Sequence, residues 1–310
     1  MKRRTFLKQM SLVASCPWLG HMAVAAPAAP AKTAGAPHNL LTCNIRVALP
    51  EDEAAGNGWK ARRGLCLEVI RAQKPDLICF QEVLREQMRD LEDGLTEFAG
   101  YGFEGPEMDA RKVGYQGIAK NPVFYSRARY DLVTTGSFWL SQTPHLPSSL
   151  SWESLRARHV NWVWLRDRAT RRELRVLSTH LDHGGQHARE EQVKMILAEA
   201  ALYPADFPQF LAGDFNAGAA NTVIQLALDA GWTDSRTAAP GPRDEGNTTH
   251  DFRGPKYVPK TEVARKRGPI DFVLTRGPVS SLAWRFVRDG RDGRYPSDHY
   301  FVAAKLQLNS

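Results

Sequence analysis

Cysteine is scarce in this chain, with four residues in 310. Cys16, Cys43, Cys66 and Cys79 show no C-x-x-C spacing, so neither a thiolate zinc site nor a disulfide framework is indicated. Cys43 and Cys79 fall in predicted strands, where a free thiol packs as a small hydrophobe. Long apolar runs are missing as well. Pro17, Gly20, His21 and Pro27 interrupt the most apolar stretch before it reaches spanning length, so stable membrane insertion is not expected. Charge of one sign is in short excess. Of the formal net charge of +7, Lys2, Arg3, Arg4 and Lys8 carry four, leaving +3 for a chain cut near Ala26. That permits an anionic substrate and gives no sign of a surface built to coat nucleic acid. No internal repeat is visible, and no clear boundary divides the chain beyond about His38.

The N-terminus has its own order of segments. A basic start is followed by a mildly apolar stretch from Met10, and Ala23-Val24-Ala25 supplies the small-residue pattern of a cleavage site. Arg3-Arg4 with Phe6-Leu7-Lys8 resembles a twin-arginine export signal. The expectation is therefore a signal over residues 1–26, a linker over 27–37 rich in Ala and Pro, and one domain over 38–310. The twin-arginine export machinery becomes an expected partner, and the location periplasmic or secreted. A short basic tail on a cytosolic enzyme is the plainer alternative. Cys16 after Val13-Ala14-Ser15 weakly resembles a lipidation site.

Periodicity predicts strands over 39–47, 76–81, 159–167, 173–181, 209–213, 270–275, 282–287 and 299–308, with further strands and turns between 122 and 140. Helices are predicted over 59–73, 188–202 and 221–230, and Met88, Leu91, Leu95 and Phe98 keep helical spacing. Many strands with few helices suggest two packed sheets with helices outside. Residues 236–268 are irregular and basic, read equally as a solvated insertion or a substrate loop.

Ionisable and amide side chains recur at strand ends, where desolvation is costly. They are Asn44, Glu82, His180, Asp214, Asn216, Asp271, Asp298 and His299. Singly, each has a plain reading as a cap or turn residue. Together they offer hard oxygen donors and imidazoles without thiolates, the donor set suited to Mg2+ or Mn2+ at a phosphoryl site.

The ordered blocks Asn44, Gln81-Glu82, Thr179 to His183, Gly213-Asp214-Phe215-Asn216, Ile270-Asp271 and Ser297-Asp298-His299 resemble the endonuclease/exonuclease/phosphatase superfamily, nearest its bacterial exported hydrolase and deadenylase-like branch. The resemblance implies an α/β fold, a four-layer αββα sandwich of the DNase I-like kind with two facing mixed sheets. It implies a metal-dependent phosphoric ester hydrolase with Glu82, Asn44 and Asp298 holding the metal. Asp214 would deprotonate water, needing no large pKa shift to be ionised at neutral pH. Asn216 would hold that water or a phosphate oxygen. His299, oriented by Asp271, and His180 would donate to phosphoryl oxygens. Arg189 reads as a phosphate clamp or a surface residue. Asp182 and His183 either add groups near the substrate or fix the following loop. Trp59 is the candidate substrate-facing aromatic, whereas Trp139, Trp162 and Trp164 read as core. A phosphodiesterase or phosphatase acting as a monomer is expected. A secreted nuclease and a non-catalytic binding protein are the alternatives, although no aromatic-plus-basic pattern marks nucleic acid as substrate.

Overall fold

The computed structural model describes residues 35–105, 118–244 and 246–309; the expected signal and most of the linker lie outside them. Twelve strands and seven α-helices are defined in this region. The first half runs β1 (His38–Asn44), α1 (Pro50–Ala54), α2 (Trp59–Ala72), β2 (Leu77–Gln81), α3 (Arg85–Gly94), β3 (Phe98–Tyr101), β4 (Val123–Ser126), β5 (Tyr130–Trp139), β6 (His159–Asp167) and β7 (Glu173–His180). The second runs α4 (Gln186–Ala200), β8 (Gln209–Asp214), α5 (Thr222–Asp229), β9 (Thr233–Asp234), α6 (Ser235–Ala238), α7 (Glu262–Arg267), β10 (Asp271–Arg276), β11 (Val279–Val287) and β12 (Phe301–Leu308).

The strands form two six-stranded mixed sheets, ordered β11-β12-β1-β2-β4-β3 and β5-β6-β7-β8-β10-β9. Alternation of side chains along each strand assigns the layers. Leu40, Cys79, Val176 and Phe210 face inward and fill the core between the sheets. Their neighbours Leu41, Ile78 and Phe80 turn outward against Cys66, Val69 and Ile70 of α2 and Met88 and Leu91 of α3. On the other sheet Leu177 and Leu211 turn outward against Val193 and Ile196 of α4 and Val223 and Ile224 of α5. The result is the expected αββα sandwich. Burial on both faces explains why β2 and β8 read as short apolar runs rather than alternating ones.

Two local expectations need correction. Phe98 does not continue the helix of Met88, Leu91 and Leu95; α3 ends at Gly94, and Phe98 starts an edge strand paired to β4. Trp162 and Trp164 are half-buried on the outer face. Trp162 lies 4.2 Å from the guanidinium of Arg175, which pairs with Glu199 of α4. Residues 236–268 are irregular as expected, interrupted among the described residues by the end of α6, a 3-10 turn and α7.

Candidate active site

Strand direction gathers the polar strand ends. β1 and β2 are parallel, and their register sets Asn44 beside Gln81. β7 and β8 are also parallel, with His180 beside Asp214. β10 runs the other way, so its first residue, Asp271, also lies opposite Asp214. Five chemically active positions thus sit at one end of the sandwich although more than 200 residues separate the first from the last. Asn44 bridges the sheets, donating from Nδ2 to Glu82 Oε1 and to Asp214 Oδ2, both at 3.1 Å.

The turns after these strands are tight. Arg46, Glu82 and Asn216 take φ values of 58°, 65° and 49°, a conformation uncommon for residues with a Cβ and often concentrated at functional sites. Ser297 Oγ donates to the Asn44 carbonyl at 2.7 Å, tying the loop of Asp298 and His299 to the end of β1. Buried Arg62 reinforces the tie by donating to the carbonyls of Ile45, Arg46 and Pro296. Sequence reasoning passed over Arg62 because an arginine on a helix ordinarily faces solvent.

The electrostatics separate the roles. Burial raises Asp214, the nearby Asp271 carboxylate adds to it, and the result is about 7. The expectation of an ordinary pKa for Asp214 is thereby corrected. Its Oδ1 accepts from the Asn216 N–H at 2.8 Å, and its Oδ2 faces Asn44, His180 and His299. Burial opposes the charge on His299, but Asp271, hydrogen-bonded to Nδ1 at 2.9 Å, outweighs it and lifts the imidazole to about 10. Burial likewise opposes the charge on Glu82; the Val47 N–H and the charges of Arg46 and His299 overcome it and keep the carboxylate ionised. Burial raises Asp298, whose partner is Arg46 at 3.4 Å.

Some predicted residues have other work. Asp182 is buried and accepts from Ser154 Oγ and from the N–H groups of Leu155, Arg156, Gly184 and Gly185. Its carboxylate therefore fixes the loop and does not face substrate. Arg189 donates to the Asp182 carbonyl and to Gln186, so it clamps the same turn rather than a phosphate. Trp59 is 1% exposed and donates to Asp90, which removes it as a substrate-facing aromatic. His180 is held neutral by burial and by the positive charge of Arg158. Its Nε2 meets Asn216 Nδ2 at 2.9 Å, and that amide also donates to the Leu181 carbonyl. His180 Nε2 is thus an acceptor here, not the expected donor to phosphate.

A cavity of about 360 Å³ opens on this end. Glu82, Asp214, Asn216, Asp298, His180 and His299 line it, together with Arg46, Arg158, His183 and Arg267. Asn44 and Asp271 stand behind that wall. The three arginines were not singled out as site residues by sequence; the signals were Arg46 following Asn44 by two residues, Arg158 opening the family-like segment that runs to Trp162, and the basic bias near Arg267.

The donor set fits a hard divalent cation. Glu82 and Asp298 present carboxylate oxygens to the cavity, while Cys43, Cys66 and Cys79 are all buried elsewhere. Asp214, Asp271 and His299 also offer atoms within 4.8 Å of one another. A protonated imidazole has no lone pair to give, however, and His299 Nδ1 is committed to Asp271. The carboxylates of Glu82 and Asp298 are therefore the better holders.

A buried acid–imidazole cluster at the mouth of a two-sheet αββα sandwich defines the class: a hydrolase of phosphoester bonds. The chain matches the Endonuclease/Exonuclease/phosphatase family over residues 41–299 and belongs to that family. Nocturnin of Drosophila melanogaster is 29% identical over 182 residues, which is 55% of this chain and 26% of that protein's length. Among solved structures, an endonuclease/exonuclease/phosphatase family protein from Bacteroides thetaiotaomicron superposes with a TM-score of 0.76 at 23% identity, covering 88% of this chain and 95% of that one. A mannosyl-6-phosphatase from the same organism superposes with a TM-score of 0.75 at 24% identity, covering 87% and 99%. Both structural likenesses speak to the fold.

Proposed function

We propose that the protein is a divalent-cation-dependent phosphodiesterase or phosphatase acting outside the cytoplasm on a small phosphoester. The observation carrying this reading is the convergence of Glu82, Asn44 and Asp214 with the Asp271–His299 pair at one cavity. Export rests on the twin-arginine pattern of the first residues. Nocturnin and the mannosyl-6-phosphatase make phosphoester chemistry the natural class, without fixing the substrate.

Glu82 and Asp298 would hold Mg2+ or Mn2+, with Asn44, which donates to Glu82 from behind the cavity wall, positioning that carboxylate. When bound, such an ion would supply Lewis-acid stabilisation of the phosphoryl oxygens. Asp214 takes the proton of the attacking water on Oδ2 as the new O–P bond forms; the ester O–P bond breaks, and its oxygen leaves with the bonding pair and takes a proton from solvent to become the alcohol. Its raised pKa suits a base working near neutrality. His299, doubly protonated, donates from Nε2 to a phosphoryl oxygen while Asp271 holds Nδ1. A charge-assisted bond of this kind stabilises the more anionic transition state more than the ground state. Asn216 anchors Asp214 through its N–H.

The test is a screen of purified protein on a chromogenic diester, a monoester and plasmid DNA, with Mg2+, with Mn2+ and with chelator. Turnover should need a cation and drop by about a hundredfold or more in Glu82→Ala and His299→Ala. A rate that survives in both variants would rule the site out. Cleavage of plasmid DNA alone would shift the reading to a nuclease.

A further inference from the structure

Thr248 is completely buried in the irregular stretch between α6 and α7. Each of its two oxygens takes a backbone N–H next to a residue of the site. Oγ1 accepts from Ile270, which directly precedes Asp271, at 3.1 Å. The carbonyl accepts from Tyr300, which directly follows His299, at 2.8 Å. The line continues past Ile270, whose own carbonyl accepts from Phe215, the residue after Asp214, at 2.8 Å. One file of hydrogen bonds, from Tyr300 through Thr248 and Ile270 to Phe215, thus passes next to His299, Asp271 and Asp214 in turn.

The topology gives this link its importance. Asp271 opens β10 of one sheet, whereas His299 lies two residues before β12 of the other. A ladder holds strands in register within a sheet, but none joins two sheets packed roughly 10 Å apart. The 2.9 Å contact between Asp271 Oδ2 and His299 Nδ1 spans that division, and Thr248 bonds the backbone on both sides of it. Asn44 also crosses between the sheets, but its bond is to Asp214.

The segment around Thr248 is held against the His299 loop. Thr249 forms an antiparallel bridge with His299, and the N–H groups of His250 and Asp251 donate to the Asp298 carbonyl at 2.7 and 3.2 Å. The buried His250 ring lies 4.1 Å from that of Tyr300 and 4.9 Å from that of Tyr295, and its Nδ1 accepts from the Gly254 N–H. The Thr248 hydroxyl carries this strap across to Ile270. Without that hydroxyl the N–H of Ile270, a buried residue, has no acceptor, and backbone movement is its means of relief.

We propose that Thr248 is a positioning residue, whose hydroxyl and carbonyl set the distance between Asp271 and His299 across the two sheets. This rests on the hydrolase reading above, and one of its measurements needs no turnover. The test compares Thr248→Val, which keeps the side chain's shape and loses the acceptor, with Thr248→Ser, which keeps the acceptor. On the chromogenic ester that wild type turns over, Thr248→Val should lower kcat by about tenfold or more and leave KM within about twofold, because the misplaced group acts in the transition state. Proton NMR without substrate should show a low-field resonance of the His299 Nδ1 proton in wild type, identified by its loss in His299→Ala. That resonance should vanish or move upfield in Thr248→Val. It should stay in Thr248→Ser, with kcat within about threefold of wild type. A threonine that only supports the fold would lower the melting temperature and leave both kcat and the resonance of the folded variant unchanged. That result, or a Thr248→Ser variant as impaired as Thr248→Val, overturns the proposal. Should Thr248→Val not fold, hydrogen exchange of the wild type decides: the Ile270 and Tyr300 amides should be protected like those of β10 and β12, and free exchange at either overturns it. A resonance lost in Thr248→Val, with no turnover of any ester by wild type, would keep the positioning role and remove the hydrolase reading.

Discussion

Asp271 does not reach the cavity wall; it acts through His299, which it orients and charges, and through Asp214, whose pKa its charge helps to raise. Replacing it with Asn keeps an acceptor for Nδ1 but removes the negative charge that lifts the imidazole to about 10. The variant's imidazole should therefore lose its proton at a lower pH. In wild type, activity should fall on the acid side as Asp214, near 7, takes up a proton, and should hold on the alkaline side until His299 titrates. Asp271→Asn should cut kcat by about a hundredfold and bring the alkaline limb towards neutral pH. A kcat–pH curve of unchanged shape would contradict the pairing. At this scale the sequence revealed the acids, amides and imidazoles, because such groups are conspicuous at the end of an apolar run. It hid Arg46, Arg158 and Arg267, since arginine is an ordinary surface residue until packing buries it.

Among the elements, the pairing of β7 with β8 aligns the centre, and Gly213 permits it. Gly213 has φ of 151°, and a Cβ there would lie 1.9 Å from the Thr179 carbonyl oxygen. Gly213→Ala should destabilise the fold by about 3 kcal/mol or more, because rigid backbone faces the added methyl. It should also displace Asp214, the next residue. Urea midpoints of the variant and wild type measure the first effect; a midpoint within error of wild type would refute the close approach. Most elements were legible from apolar periodicity. β3 was not, because Phe98 continues the helical spacing of α3 and only its pairing with β4 makes it a strand.

For the whole molecule, buried histidines set the response to acid. His38, bonded to Tyr130 at 2.6 Å, is lowered by burial to about 3. Burial lowers His250 to about 4 and holds His159 and His180 below their usual range. Below about pH 6.5 the unfolded chain takes up these protons and the folded chain does not, so stability falls as pH falls towards 4. His38 and His250 each remove about 2 kcal/mol between pH 7 and 5, and His159 and His180 act in the same direction. Asp214 and Asp298, raised by burial, and His299, raised by Asp271, act in the opposite sense, but these three groups oppose four lowered imidazoles. Chelated protein should therefore lose a net few kcal/mol over that interval, read from urea midpoints at pH 7.5, 6 and 5. A stability that rises towards pH 5 would show that the raised groups dominate.

From the order of residues alone came the two-sheet architecture, the family and the groups of the hydrolytic centre, because burial periodicity and costly polar groups at strand ends are local signals. Tertiary structure alone decided which of those groups meet, that Asp182 and Arg189 serve a loop, and that Trp59 belongs to the core. It also decided that Arg158 and Arg267 line the cavity. Pairing and desolvation depend on neighbours brought from distant parts of the chain, and spacing along the sequence carries no record of them.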